Sequence, residues 1–193
     1  PTRRSSDLFR ELKELILENN EISDINPLER VKFDKLEILD LDSNKIRNIN
    51  VLEKVNFPVL KELYLYNNKI SDIKVFKNVN FNKLEKLYLG FNLIKDISVF
   101  AYVNMKHLKI LGLHSNYIYD ISVLEKINLE KLERLYLCGN EITNIDILAK
   151  MNFRDIKLLN LNNNKITNIE ILNEVNLNKL KLLSLDPKRI TIY

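Results

Sequence analysis

Residues 60–70, Leu60-Lys61-Glu62-Leu63-Tyr64-Leu65-Tyr66-Asn67-Asn68-Lys69-Ile70, spell Leu-x-x-Leu-x-Leu-x-x-Asn-x-Ile, and this apolar pattern also opens at Leu12, Leu36, Leu84, Leu108, Leu132, Ile156 and Leu180. The step is 24 residues, as from Leu12 to Leu36, and it never slips. A fixed period of this length means stacked copies of one supersecondary unit, each covering the open face of the next. The constant positions are committed to the shared core, so function must be sought in what varies between copies.

Within the unit, Glu62-Leu63-Tyr64-Leu65-Tyr66 alternates apolar and variable residues with period two, the mark of a strand buried on one face. Stacked in register, these strands would run parallel. The asparagine that follows (Asn20, Asn44, Asn68, Asn92, Asn116, Asn140, Asn164) carries two donors and an acceptor, enough to satisfy backbone groups left open as the strand turns. In the last unit Lys188 stands there, and a charge is costly in such a ladder, so the array is expected to fray at that point. An all-isoleucine column follows, from Ile22 to Ile190, and a second runs from Ile25 to Ile169. Asn26, Asn50, Ser98, Ser122 and Asp146 are read as helix N-caps, and Asn26-Pro27-Leu28-Glu29 adds proline at the first helical position. A short helical turn with Val51, Leu52 and Val55 on its inner side should follow, with Phe57 closing the convex side. Roughly eight apolar side chains per unit, each contributing about 1.5–3 kcal/mol when buried, offset the ordering entropy only if neighbouring units cover both open faces.

The 193 residues, 46% hydrophobic and 29% charged, suit one elongated domain. Pro1 to Leu8 fit no apolar column and are read as a non-native leader ahead of a repeat domain over 9–193, with units starting at 12, 36, 60, 84, 108, 132, 156 and 180. The last unit stops at Tyr193 without a polar cap, so the chain is read as a fragment. A net charge of +4 permits an acidic partner, yet Lys and Arg are interspersed with Asp and Glu, which argues against nucleic acid. No apolar run reaches membrane-spanning length. The lone Cys138 cannot form an internal disulfide, which suits a reducing compartment and leans toward the cytoplasm.

The consensus Leu-x-x-Leu-x-Leu-x-x-Asn-x-Ile, continued by Ile-x-Asp/Asn-Ile, resembles the leucine-rich repeat from Phe9 to Tyr193. Ile70-Ser71-Asp72-Ile73 and Ile142-Thr143-Asn144-Ile145 are most similar to the subclass found in bacterial internalins and in the leucine-rich regulatory subunit of protein phosphatase 1. The resemblance implies an α/β fold: a right-handed solenoid, horseshoe or arc, with a parallel sheet on the concave side and short helical turns on the convex side. It also implies protein binding on the concave face, although family binding residues do not transfer position by position.

Two outward strand columns define that face: Ile16, Asp40, Tyr64, Tyr88, Gly112, Tyr136, Asn160, Ser184, and Glu18, Asp42, Tyr66, Gly90, His114, Cys138, Asn162, Asp186. Tyrosines gather in the middle, Phe91 joins them, and Gly90, Gly112 and Gly139 fall in the same units. With strands about 4.8 Å apart, missing side chains beside large ones suggest a notch with aromatic walls. Aromatic residues are enriched in interface hot spots, so Tyr64, Tyr66, Tyr88, Gly90, Phe91, Gly112, His114, Tyr136 and Cys138 form the expected partner site. In the first units Glu14, Glu18, Glu37, Asp40 and Asp42 face Lys13 alone, an acidic patch that suits a partner with a basic edge. His114 and Cys138, neighbours in one column, are the sharpest candidate for a nucleophile and base. No third group orients the imidazole, an open sheet excludes water poorly, and two soft ligands are too few for structural zinc. The expectation is therefore a protein-binding module, neither an enzyme nor a metal or cofactor protein. The alternative is a regulatory or targeting segment of a larger enzyme, such as a phosphatase regulator.

Overall fold

The computed structural model describes residues 9–186. The expectations for Pro1 to Leu8 and for Lys188, Ile190 and Tyr193 lie outside the described residues. Eight three-residue strands form one open parallel sheet in chain order: β1 Glu14–Ile16, β2 Ile38–Asp40, β3 Glu62–Tyr64, β4 Lys86–Tyr88, β5 Ile110–Gly112, β6 Arg134–Tyr136, β7 Leu158–Asn160 and β8 Leu182–Ser184. The register follows the sequence period, pairing Leu15 with Leu39, Leu39 with Leu63, Leu63 with Leu87, and so on to Leu183. Single 3-10 turns such as Asn50–Lys54 and Ser98–Tyr102 return the chain on the opposite side. The result is the expected α/β solenoid with its sheet on one face.

Between these layers, Leu36, Leu39, Leu41, Ile46, Ile49 and Leu52 are almost wholly buried, as are Phe76 and Phe100. Leu12, Leu15, Leu17 and Ile22 of the first unit and Leu180 and Leu185 of the eighth are only partly covered. That difference is the physical reason a single repeat has no stable fold: each unit supplies one wall of its neighbour's core.

The asparagine column behaves as a ladder. Asn92 Nδ2 donates to the carbonyls of Leu65 at 2.8 Å and Leu89 at 3.1 Å, and its Oδ1 accepts the Ile70 N–H at 3.0 Å. One buried amide thus ties two consecutive turns together. Among the described residues Asn20 donates within its own turn, to Leu17 O and Glu18 O.

The capping expectation needs correction. Each 3-10 turn is preceded by an isoleucine, such as Ile25, Ile49 or Ile121, and no side chain caps it from that position. The polar contact comes from one residue earlier still, where Asp24, Asn48, Asp96, Asp120 and Asn144 accept the N–H two residues on, at 2.7–2.8 Å. Asn26, Asn50, Ser98, Ser122 and Asp146 are therefore the donors of Asx turns and not caps. The isoleucine stays buried because the turn acceptor sits beside it.

Candidate functional site

Three residues after the end of each strand from β1 to β7 the backbone enters the left-handed region, at Asn19, Ser43, Asn67, Phe91, Ser115, Gly139 and Asn163, with φ between 50° and 66°. Their N–H groups still bond across the sheet, as from Phe91 to His114 O at 2.9 Å and from Gly139 to Asn162 O at 2.8 Å. Gly and short polar residues such as Asn and Ser are accommodated in this geometry, whereas a bulky aromatic is strained in it. Phe91 is the one aromatic in the column, and it is 49% exposed. Gly139 takes its place among the turn residues, so its conformation explains it without a partner.

The aromatic residues expected to gather in the middle units do so. Tyr64 and Tyr88 stack with ring centroids 5.0 Å apart and planes 8° from parallel. Beside them His114 is central: its ring meets Tyr66 at 5.6 Å, Phe91 at 5.7 Å and Tyr136 at 6.1 Å, and Tyr66 meets Phe91 edge-on at 5.1 Å. Burial holds the imidazole below its usual pKa, hence neutral, and its Nδ1 has no hydrogen-bond partner among the described residues. The Tyr64 hydroxyl donates to Glu62, and burial first, then that carboxylate, push its pKa up.

The expected notch is filled. A Cβ placed on Gly90 would lie 2.4–2.7 Å from the His114 ring, and one on Gly112 would lie 2.9 Å from Tyr88. The glycines are thus the floor on which neighbouring rings lie, and Gly112 is buried beneath Tyr88. Larger residues there would lift the rings and open the stack. His114 and Cys138 are also not brought into a reactive pair: no hydrogen bond joins them among the described residues, and burial pushes the Cys138 thiol up, opposite to an activated thiolate. No three His, Cys, Asp or Glu side chains among the described residues group as a metal site.

The acidic patch loses one member. Glu37 lies 2.6 Å from Lys61, whose hydrogen bond holds its carboxyl below the usual range, so it does not face Lys13 alone. It belongs to a cross-strand ladder in which Lys109 meets Glu85 at 2.7 Å and Lys157 meets Glu133 at 2.8 Å. Glu14, Glu18, Asp40 and Asp42 remain on the concave side. Asp42 accepts the Tyr66 N–H at 2.6 Å; burial, aided by Asp40 and Glu18, nonetheless pushes its carboxyl up to about 7.

Sequence reading missed a third outward column, in which Glu62 pairs with Lys86 at 2.9 Å and Arg134 is exposed. It also missed Leu93 and Tyr117, which line one hollow with Phe91, and Tyr119, all of them exposed. Reading columns beyond the asparagine would have found Leu93 and Tyr117, since Glu21, Lys45, Lys69, Glu141 and Lys165 hold the same place in other units.

Comparison with known proteins agrees with this architecture. The family model described as leucine rich repeats (2 copies) matches residues 10–54 and 58–102. An internalin of Listeria monocytogenes str. 4b F2365 superposes with a TM-score of 0.75 at 31% identity, covering 94% of this chain and 48% of its own. The chain carries leucine-rich repeats in a solenoid fold. Internalin C2 of the same organism gives a TM-score of 0.77 at 28% identity, over 94% of this chain and 72% of its own. A leucine-rich-repeat protein of Leptospira interrogans gives 0.76 at 25% identity, over 95% and 45%. This leucine-rich-repeat chain therefore spans about half the length (48%) of the first of these structures. No curated protein sequence matches it significantly. The fold commonly mediates protein–protein interactions, and proteins of this family are typically not enzymes. No helix among the described residues is long and apolar enough to cross a membrane.

Proposed function

We propose that this leucine-rich-repeat chain is a non-catalytic protein-binding module that seats its partner on the concave face of units three to six. The observation that carries the reading is a pair of neighbouring ring groups on the solvent side of the sheet, Tyr64 stacked on Tyr88 and His114 packed among Tyr66, Phe91 and Tyr136. A leucine-rich sheet needs no aromatic layer outside its core. Rings already packed on one another lose little side-chain entropy when a partner covers them, which makes them efficient contacts. Gly90 and Gly112 keep the layer flat. Next to it Asp40 and Glu18 offer negative charge, so the partner carries a basic group beside an apolar or aromatic surface.

Replacing Tyr64, Tyr88 and Tyr136 together by alanine is expected to weaken a purified partner by more than about 2 kcal/mol, the level of a hot spot, with the circular dichroism spectrum unchanged. Alanine at Lys54 and Lys126 on the opposite side is expected to do almost nothing. Calorimetric titration checks both. Equal losses from the two sets, or undiminished binding by the triple variant, would place the interface elsewhere.

A further inference from the structure

Among the described residues, the large apolar side chains exposed away from the first and last units are Phe91, Leu93, Tyr102, Tyr117 and Tyr119, all within 91–119. Most of them do not face the concave side. Leu93 and Tyr117 lie on the edge where the chain leaves the sheet, in a column otherwise charged. At the flanks that column forms cross-unit ion pairs, Glu21 with Lys45 at 2.9 Å and Glu141 with Lys165 at 3.3 Å. In the middle the ladder is interrupted by two apolar residues. Phe91, strained in the left-handed region, stands between this edge and the concave rings, and a costly conformation kept at an exposed aromatic points to use.

Phe91, Leu93, Tyr117, Gly139 and the neighbouring turn polar groups line an open hollow of about 400 Å³. The charge in its lining is Lys69, and no carboxylate contributes. Among the described residues Lys69 makes no ion pair, in contrast to Lys45 and Lys165 of its column. We infer that this edge is a second docking surface, for a protein segment presenting an aliphatic or aromatic side chain next to an aspartate or glutamate. The apolar side chain enters between Leu93 and Tyr117 while the carboxylate meets Lys69. The sign is opposite to that of the concave acidic patch, so the two surfaces select different parts of a partner.

The test takes its substitutions from the neighbouring units. Leu93→Lys with Tyr117→Glu restores the charged ladder with residue types the column already holds, so the fold is expected to be retained. The full chain is panned against a phage-displayed random-peptide library, and enriched clones are rebound to wild type, to this double variant, to Lys69→Glu and to the Tyr64, Tyr88, Tyr136 alanine variant. The expected result is a class of clones with an acidic residue beside an apolar one. These clones lose at least about tenfold in affinity on the double variant and on Lys69→Glu, yet bind the tyrosine variant normally. Absence of such clones, clones indifferent to the double variant, or clones with basic residues in place of the acid would overturn the proposal. So would sedimentation showing wild type dimeric and the double variant monomeric, since the occupant would then be a second copy. Clones lost only on the tyrosine variant would leave the concave reading standing and remove this one.

Discussion

Two adjacent columns of the array make opposite demands on their residues. From Asn44 to Asn164 the ladder asparagine is buried in six consecutive units and never changes. One position earlier the backbone repeats just as faithfully, with φ near 50–66°, while the residue runs Asn, Ser, Asn, Phe, Ser, Gly, Asn. In the ladder, chemistry and geometry are coupled, because the amide bonds the turn it occupies and the turn before it. In the left-handed column the stack alone imposes the geometry, through N–H groups that bond the next unit, and the side chain points out. Variation is tolerated there, and a residue as unsuited as Phe91 can be held in place.

The contrast can be broken most severely at the ladder. Asn92→Leu removes the acceptor of Ile70 N–H and the donor to Leu65 and Leu89 carbonyls, leaving buried groups unpaired, and is expected to cost about 3 kcal/mol in urea unfolding. A loss below about 0.5 kcal/mol would show that water reaches the ladder and that its constancy has another cause.

A smaller effect of opposite sign is expected one residue away. Phe91→Asn relieves about 1–2 kcal/mol of left-handed strain and forfeits ring contacts with Tyr66 and His114 at a half-exposed site, for a net gain of about 0.5–1 kcal/mol. If the variant is instead less stable than wild type, the ring contacts outweigh the strain and Phe91 is there for the fold.

The last expectation concerns pH. The Asp42 carboxyl titrates near 7 in the folded chain and near 3.8 when unfolded, so between these values the folded state binds more protons than the unfolded. Stability therefore falls as pH rises through about 4 to 7, and this slope is flat above and below. Asp42→Asn keeps an acceptor for the Tyr66 N–H and is expected to flatten that part of the profile. An unchanged slope in the variant would assign the titration to another group.

The strands, their parallel order, the buried columns and the amide ladder were legible in the sequence because each rests on identity at a 24-residue spacing, as in Leu63 stacked on Leu39. The aromatic cluster was legible for the same reason: Tyr64 and Tyr88 share a column, so a fixed register must bring them together. Tertiary structure alone decided that His114 and Tyr88 lie over Gly90 and Gly112 instead of leaving a notch, that Lys61 neutralises Glu37, and that the turn acceptor is Asp24 or Asn48 and not Asn26 or Asn50. It alone showed Phe91 strained beside an apolar edge. Period dictates which backbones become neighbours. The lean of a ring, the reach of a lysine and the sign of a φ angle are settled only when the neighbouring unit is in place, since each is a choice among rotamers or wells of similar energy that packing decides.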